Sequence, residues 1–306
     1  MRRVLVTGAT GFVGRHALGA LVSRGYEVHA VSSKGPTDDS PEGVVWHVAD
    51  LLDPVAGPAL VSEVAPTDLL HLAWYAEPGA FWGSPENLRW VAASLALLRA
   101  FADAGGTRAV LAGTCAEYAW ENETHCVEGS TPLKPATLYG AAKHGLHVVA
   151  EAFAADAGIS LAWGRIFFLF GPHEDSRRLV SSVARAVIGG KRAETSHGEQ
   201  VRDFLYAPDL ADAFAALLAS EVTGAVNVAS GEPVAIRDVV QAIGDSAGHP
   251  ELLAIGARPT NSSEPAVLTA DVFRLCDEVG WTPPATREDR VSTTVEWWLT
   301  TLGETA

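Results

Sequence analysis

The sequence predicts an α/β protein in which a doubly wound parallel sheet is joined to a smaller C-terminal α/β lobe. Three observations favour this fold class. Short β-branched runs alternate with longer segments whose apolar residues recur at helical spacing, which is typical of a parallel sheet with helices on both faces. A glycine-rich turn separates the first such run from the first helical segment. After residue 170 this alternation gives way to polar, glycine-containing connections and prolines, which indicates a second lobe.

The elements are predicted from these two periodicities in chain order. Strands are expected at Arg3–Thr7, Glu27–Ser32, Val44–Val48, Asp68–Ala73, Arg108–Gly113, Ile159–Phe170 and Gly224–Ala229. Helices are expected at Val13–Arg24, Asn87–Ala104, Tyr139–Ala157, Leu179–Ile188 and Ala207–Ala219. We expect residues 1–170 with 205–232 to form the larger domain, and residues 171–204 with 233–306 to form the smaller lobe.

Composition disfavours several classes of partner. The 306 residues carry a formal net charge of −15 at pH 7, and the pI is about 5.0. Such a field repels phosphate polymers and anionic lipid surfaces, so we expect neither nucleic acid nor membrane as a partner. No apolar run approaches the roughly 18–20 residues that a spanning helix needs. The three cysteines lack the spacings of a disulfide framework or metal site, which favours a cytoplasmic location.

The turn after the first strand has the sequence GATGFVG, from Gly8 to Gly14, and it opens an apolar helix. Gly8 allows a tight turn, Gly11 lets the backbone approach a pyrophosphate, and Gly14 allows close helix packing. The helix N-terminus adds free N–H groups and partial positive charge. This context predicts a dinucleotide site of the Rossmann type.

The end of the second strand decides which dinucleotide is favoured. An acidic residue there would accept the ribose 2′-hydroxyl and repel a 2′-phosphate. The sequence instead places Ser32, Ser33 and Lys34 at this point, with Arg15 as a further cation that could assist. The sequence therefore favours NADP(H), while NAD(H) remains possible. Asp50 is expected to meet the adenine, or alternatively to cap the following helix.

Three residues predict acid–base chemistry beside this cofactor. Tyr139 and Lys143 are four positions apart on one predicted helix, so their side chains share a face. A nearby ammonium and a positive nicotinamide ring both favour the phenolate form of a tyrosine. Thr114 follows a predicted strand at the carboxyl edge of the sheet, where ligands bind in such folds. We therefore expect Thr114, Tyr139 and Lys143 to be catalytic.

Several motifs together resemble a known family over essentially the whole chain. They are TGATGFVG, HLAW at 71–74, Asn87, GTCAEY, YGAAK, Arg165, FGP at 170–172, GEQVRDF at 198–204, SGEP at 230–233 and GWTP at 280–283. The chain resembles an extended short-chain dehydrogenase/reductase of the NAD-dependent epimerase/dehydratase type. The resemblance implies a nucleoside-diphosphate sugar as substrate, a ribose contact for Lys143, and a homodimer built on the helices that carry Asn87 and Tyr139.

Motifs and resemblance together give two sets of predicted contacts. The predicted cofactor contacts are Gly8, Thr10, Gly11, Phe12, Val13, Gly14, Ser32, Ser33, Lys34, Asp50, Leu51, Leu72, Ala73, Lys143 and Phe168. The predicted substrate contacts are Trp74, Cys115, Glu117, Arg177, Arg202 and Arg258. The resemblance implies that Arg202 binds the substrate pyrophosphate, a contact that suits a guanidinium. Weaker candidates for the same contact are Arg177, Arg178 and Arg258. An ion pair with Asp203 or Asp209 is the alternative for Arg202.

The choice among reactions depends on the two residues after Thr114. Dehydratases of the family carry an Asp-Glu pair there, and this sequence has Cys115 and Ala116, which disfavours dehydration. The motifs look most similar to NADPH-dependent reductases of nucleotide-linked 4-keto-6-deoxyhexoses, which is the leading expectation. A nucleotide-sugar epimerase is the alternative. Cys115 and His173 leave a bifunctional epimerase-reductase open, and a non-catalytic NADP-binding regulatory protein is a further hypothesis.

Two groups of residues are assigned no catalytic role. His71, His144 and His147 are expected to be structural, since no carboxylate–histidine spacing of a metal site accompanies them, and no metal is predicted. Trp74, Trp82 and Trp90 could line the sugar pocket or pack a subunit contact.

Overall fold

The computed structural model describes residues 2–121, 123–260 and 264–303. It confirms the α/β fold class. The main sheet of the described residues is parallel, has seven strands, and runs in the order β11-β7-β5-β4-β1-β2-β3. Its strands are β1 (Arg3–Thr7), β2 (Glu27–Ser32), β3 (Val44–Val48), β4 (Asp68–His71), β5 (Arg108–Thr114), β7 (Ser160–Ile166) and β11 (Gly224–Val228).

Helices cover both faces of the main sheet. One apolar core lies under α1 (Gly14–Ser23) and α6 (Ala207–Ala219). The other core lies under α2 (Ala56–Val64), α3 (Glu86–Asp103) and α4 (Leu138–Ala157). The inner strand β5 is buried along its whole length, as a strand between two helical layers must be. The carboxyl edge of this sheet is therefore the place where the chain presents side chains to a ligand.

A second, five-stranded sheet lies beside this edge within the described residues, in the order β12-β10-β14-β6, with β8 also paired to β10. Its strands are β6 (Glu123–Cys126), β8 (Phe168–Phe170), β10 (Val201–Tyr206), β12 (Pro233–Ala235) and β14 (Val267–Ala270). Two further strands, β9 (Ala193–Thr195) and β13 (Leu253–Ile255), pair separately. Three helices pack together over this part: α5 (Leu179–Ile188), α7 (Ile236–Ser246) and α8 (Arg287–Gly303).

The structure corrects three expectations about elements. The predicted strand Ile159–Phe170 is divided at Phe167, because β7 pairs with β5 and β11 whereas β8 pairs with β10 in the other sheet. The polar, glycine-containing stretch at 189–203, one of the connections predicted after residue 170, contains β9 and the start of β10. Helix α2 was not predicted, and its first turn contains Gly57 and Pro58, which weaken the helical pattern. The division into two domains stays a prediction; strand pairing places 123–126 and 168–170 in the second sheet.

Candidate active site

The glycine turn packs against the end of β4 as tightly as backbone atoms allow. Gly8 has φ +67°, and a Cβ there would lie 2.8 Å from the backbone nitrogen of Ala73. A Cβ on Gly14 would lie 2.1 Å from the carbonyl oxygen of Gly8. Side chains at these two positions would force the turn open, so both glycines are required for a backbone-lined opening at the start of α1.

A cavity of about 620 Å³ begins at this turn and runs along the carboxyl edge of the main sheet. Most of the predicted cofactor contacts line it. They are Gly8, Thr10, Gly11, Phe12, Val13, Gly14, Ser32, Ser33, Asp50, Leu51, Leu72, Ala73 and Lys143. Trp74, predicted to contact substrate, lines the same cavity. The elongated row of backbone and apolar groups that ends at a lysine suits a dinucleotide.

Two predicted cofactor residues lie elsewhere. Lys34 is exposed and does not line this cavity, because the turn after β2 directs only Ser32 and Ser33 toward it. The Ser32 hydroxyl itself donates to the carbonyl of Gly35 at 2.8 Å and accepts from the N–H of Lys34 at 3.2 Å. Phe168 lies in the neighbouring cavity, where its ring contacts Phe204 at 5.8 Å between centroids.

Arg15, the cation expected to help bind a 2′-phosphate, also makes other contacts. The Arg15 guanidinium contacts the Asp39 carboxylate at 2.9 Å and donates to the carbonyl of Thr10 at 3.4 Å. Asp39 also approaches His173, with 3.3 Å between the carboxylate and the imidazole Nε2. Burial lowers the pKa of His173. Asp50, the predicted adenine contact, lines the cavity and accepts from the N–H of Leu52 at 2.9 Å, so it also shapes the local turn.

A second cavity of about 370 Å³ adjoins the first and continues toward the five-stranded sheet. Tyr139, Gly113, Phe12 and Arg178 line both cavities, so a molecule in one would meet a molecule in the other at Tyr139. The walls of the second cavity are largely aromatic, and Arg202 reaches it from β10. The pair of cavities therefore has the layout of a cofactor groove and an adjoining substrate pocket.

Thr114 and Tyr139 meet at this junction from distant parts of the chain. Thr114 ends β5, and Tyr139 is in the first turn of α4. The Thr114 and Tyr139 side chains both line the second cavity. Burial raises the pKa of Tyr139, and the nearby Thr114 side chain lowers it by a smaller amount. The phenol is consequently protonated in the unliganded chain, ready to act as an acid.

An aromatic group encloses the Tyr139 ring. The rings of Phe81 and Trp82 both approach it edge-on, with centroid distances of 4.9 and 5.7 Å. The backbone N–H of Tyr139 donates to the carbonyl of Trp82 at 3.0 Å, which ties this turn to the start of α4. Trp120 contacts Trp82 at 5.9 Å. These rings hold the phenol in place and cover part of it.

Lys143 lies one helical turn after Tyr139 and is buried. Its Nζ donates to the carbonyl of Ala112 at 2.7 Å and lies 3.8 Å from the centroid of the Trp74 ring. Burial lowers the pKa of Lys143 to about 7. In turn, Trp74 Nε1 donates to the side-chain oxygen of Asn87 at 2.9 Å. The ammonium thus faces the cofactor groove from a fixed position.

The predicted substrate contacts separate into three groups. Cys115 and Arg202 line the second cavity, as expected for residues that meet a substrate. Arg177 and Arg258 do not line either cavity: Arg177 is paired with Asp175 and Glu77 at 2.7 Å, and Arg258 is exposed 4.0 Å from Glu194. The alternative proposed for Arg202 was a pair with Asp203 or Asp209, and its carboxylate neighbour is instead Glu264, at 3.4 Å.

Glu117, also predicted to contact substrate, is fully buried behind the site. Its carboxylate accepts from the backbone N–H of Thr114 at 2.9 Å, from Trp163 Nε1 at 2.8 Å, and from Arg165 Nε at 3.0 Å. Because these donors occupy the carboxylate, Glu117 orients Thr114 instead of touching a ligand. It forms a capping box with Thr114 over the single helical turn at Cys115–Glu117.

Three side chains behind the site could in principle hold a metal ion. The nearest ligand atoms of Glu117, His144 and His147 all lie within 4.8 Å of one another. However, Glu117 already accepts from Arg165, whose guanidinium is 3.5 Å from Nδ1 of His147. A buried guanidinium disfavours a second cation here, and His147 instead stacks on Trp163 at 4.7 Å between centroids.

Glu174 and Phe81 are among the lining residues that sequence reasoning did not assign to the pocket. Glu174 is buried and lines the second cavity, where burial raises its pKa to about 7. Phe81 lines the same cavity beside Tyr139. Both lie in polar or turn segments without periodicity, so no local pattern pointed to them.

In the described part of the chain, none of the helices combines the length and apolar character needed to cross a membrane.

Comparisons with known proteins agree with this geometry. Residues 4–229 match the model of the NAD dependent epimerase/dehydratase family. The UDP-glucose 4-epimerase of Streptomyces lividans is 27% identical over 320 residues, which cover 96% of this chain and 95% of that protein. The dTDP-6-deoxy-L-talose 4-dehydrogenase (NAD(+)) of Aggregatibacter actinomycetemcomitans is 26% identical over 242 residues, 78% of this chain and 88% of that protein.

A solved structure is similar over nearly the whole molecule. It is the UDP-glucose 4-epimerase of Thermus thermophilus in complex with NAD, with a TM-score of 0.85, 27% identity, and coverage of 97% of this chain and 98% of that chain. The family match spans the glycine turn, Thr114, Tyr139 and Lys143, and continues to the end of β11. The chain therefore belongs to the NAD-dependent epimerase/dehydratase family.

Proposed function

We propose that this protein is an NAD(H)-dependent 4-epimerase of a nucleoside-diphosphate hexose. The observation that carries the proposal is the meeting of Thr114, Tyr139 and Lys143 where the two cavities join, with no carboxylate at positions 115 and 116. Similarity to UDP-glucose 4-epimerases supports the epimerase, which the sequence analysis kept as its alternative, better than the reductase it preferred.

The residues present fit a nicotinamide dinucleotide. The glycine turn would hold the pyrophosphate, Asp50 and Leu51 the adenine end, and Lys143 the nicotinamide ribose. We propose NAD(H) in place of the NADP(H) that the sequence favoured, because Lys34 lies outside the cavity and Arg15 is engaged by Asp39. The NAD-bound Thermus thermophilus relative supports the same choice. When bound, the nicotinamide supplies the hydride acceptor and donor.

The protein's own residues would handle the proton at O4 of the sugar. Tyr139, as phenolate, takes the O4 proton while the C4 hydrogen leaves as hydride, and it returns that proton when the C4 ketone is reduced on its other face. Thr114 donates a hydrogen bond to O4 and keeps it beside the phenol. Arg202 would bind the substrate diphosphate, as a guanidinium pairs well with phosphate oxygens.

Because positions 115 and 116 carry no carboxylate, the chemistry expected here is limited to oxidation and reduction at C4. Dehydration at C5 and C6 needs an acid for the leaving hydroxyl and a base for the ring proton. Cys115 cannot supply the base, because burial raises the pKa of its thiol, and Ala116 has no ionisable group. A 4-keto intermediate in this pocket is therefore expected to be reduced again without eliminating water.

Product analysis tests the proposal. The purified protein with added NAD is incubated separately with UDP-glucose, UDP-galactose, dTDP-glucose and UDP-glucuronic acid, and the sugar nucleotides are separated by chromatography. The expected result is a mixture of C4 epimers from at least one substrate without net formation of NADH. Failure to form a C4 epimer from any of the four would count against the 4-epimerase.

One comparison favours a second candidate, a C4 dehydrogenase or ketoreductase. The similarity to a dTDP-6-deoxy-L-talose 4-dehydrogenase suggests the same hydride and proton transfers without the second, opposite-face reduction. The aromatic walls of the second cavity would suit a 6-deoxy sugar. Net oxidation of NADH or NADPH by a dTDP-4-keto-6-deoxyhexose, with no epimer formed from the hexoses, would identify this activity.

A further inference from the structure

Arg178 is a cation at the junction of the two cavities that the mechanism above does not use. It is the residue directly before α5, and it lines both the cofactor groove and the substrate pocket together with Tyr139. Its neighbour Arg177 is paired with Asp175 and Glu77. In the described ranges, no carboxylate lies within ion-pair distance of the Arg178 guanidinium. The half-buried Arg178 guanidinium therefore lies at the reacting centre without a close ion pair, and Glu174 and Asp175 are the carboxylates that it influences through space.

The segment around Arg178 is held firmly in place. The Glu174 carboxylate accepts from the backbone N–H and the hydroxyl of Ser181, at 3.0 and 2.6 Å. Ser181 is in the first turn of α5, so Glu174 accepts a hydrogen bond from the N-terminal end of this helix although it lies outside the helix. The N–H of Arg178 donates to the carbonyl of Asp175 at 3.0 Å. These bonds fix the point from which the Arg178 side chain reaches the junction.

The charges that face Tyr139 come from several elements. Burial raises the pKa of the phenol most, and the Thr114 side chain lowers it. Cys115 and Glu117, in the turn after β5, raise it further, and Arg178 lowers it. Lys143 shares α4 with Tyr139, but its ammonium is directed to the carbonyl of Ala112 and the face of Trp74. Arg178 therefore opposes the negative charge of Glu117 at Tyr139.

We propose that Arg178 stabilises the phenolate form of Tyr139 in the reacting complex, in addition to the ammonium of Lys143. The inference rests on the proposed function in one respect, namely that Tyr139 exchanges the proton at O4. It deepens that function by making Arg178 a positioning residue that acts through Tyr139. The proton balance is unchanged, because Arg178 stays protonated and only the phenol gains and loses a proton.

Titration of Tyr139 in the complex with NAD⁺ alone tests the inference without any sugar substrate. The tyrosinate absorbance is recorded against pH for the NAD⁺ complex, and the signal of the Tyr139→Phe complex is subtracted to isolate Tyr139. In the wild type, Tyr139 is expected to ionise below the ordinary value of about 10. Arg178→Met should raise that midpoint by about 1 unit, the low end of the effect of losing a nearby opposite charge.

Two further variants make the comparison specific. Arg178→Lys keeps the charge and should restore most of the wild-type midpoint. Arg185→Met removes a guanidinium from the same helix, where it lies over the ring of Trp298 and outside both cavities, and should leave the midpoint unchanged. Thermal unfolding of each variant identifies any that are not folded, and Arg178→Gln, which also removes the charge, replaces Arg178→Met if that variant does not fold.

Two outcomes would overturn the inference. One is an unchanged Tyr139 midpoint in folded Arg178→Met. The other is a wild-type complex in which Tyr139 does not ionise at any pH where the protein stays folded. If a substrate is found, Arg178→Met should lower kcat at neutral pH with little change in KM. A rise in KM alone would mean that Arg178 only contributes to substrate binding. Failure of the 4-epimerase assay would leave the titration result standing.

Discussion

The ammonium of Lys143 lies over the face of Trp74, with Nζ 3.8 Å from the centroid of the ring. Such a contact favours the charged lysine by about 0.5 to 2 kcal/mol. Burial opposes it and is the larger effect, because the pKa of Lys143 falls to about 7. The protein therefore keeps a lysine at the cofactor groove that is close to losing its proton at neutral pH.

Replacing this lysine should stabilise the fold. The pKa of Lys143 falls from 10.5 in the unfolded chain to about 7 in the folded one, so the unfolded chain binds more protons between these values. Stability contributed by this site consequently rises as pH increases from about 7 to 10.5. Lys143→Met should remove that slope and raise the free energy of unfolding at pH 7 by about 1 to 3 kcal/mol, while abolishing turnover.

Denaturant unfolding at several pH values checks this prediction. Lys134→Met, a change at an exposed lysine before α4, is the control and should keep the wild-type slope. A Lys143→Met protein that is less stable than wild type at pH 7 would show that the lysine contributes more through its bond to Ala112 than burial costs it.

Tyr139→Phe should reduce turnover by about 10²- to 10⁴-fold, the usual contribution of a general acid–base group. The phenylalanine ring keeps the edge-on contacts with Phe81 and Trp82, so the pocket should stay intact. NAD affinity, measured by fluorescence titration, should change little. Turnover that survives the substitution would remove Tyr139 from the reaction.

Glu117→Gln should destabilise the protein by about 3 to 5 kcal/mol, because it leaves the buried guanidinium of Arg165 without its carboxylate. The effect is measured by denaturant unfolding. Glu86→Gln breaks an exposed pair with Arg89 and should cost at most about 0.5 kcal/mol. Equal losses from the two substitutions would contradict the structural role given to Glu117.

Cys115→Ala should retain turnover within about tenfold, equivalent to about 1.4 kcal/mol in the barrier. Burial raises the pKa of Cys115, so its sulfur is a protonated thiol at neutral pH and is a poor base or nucleophile. Steady-state rates give the first readout. The second is deuterium exchange from solvent at the ring carbons beside C4, whose loss in Cys115→Ala would instead support the bifunctional chemistry considered from the sequence.

The parts of the site that sequence predicted are those carried by short, local patterns. The glycine turn needs Gly8 and Gly14 at a fixed spacing because two pieces of backbone nearly touch there. Tyr139 and Lys143 share a helix face because they are four residues apart. The main strands and helices were predictable for the same reason, since each shows its own periodicity.

The parts that sequence missed depend on contacts between distant segments. Arg177 and Arg178 are adjacent and chemically identical, and the sequence cannot tell which faces the pocket. The backbone of Arg178 is extended, with φ −76° and ψ 159°, so neighbouring side chains point in different directions. Glu174 and Phe81 reach the cavity only because turns place them there. Glu117 was expected in the pocket, but its partner Arg165 comes from another strand and draws it behind Thr114.

A single residue, Phe167, lies between the strand that ends in the larger sheet and the strand that begins in the smaller one. The strand-pairing hydrogen bonds on either side leave little torsional freedom at Phe167. Phe167 and Phe168 form part of the wall of the second cavity. The wall therefore cannot rotate relative to the two sheets. A sugar bound in the second cavity must therefore fit the space that this wall leaves.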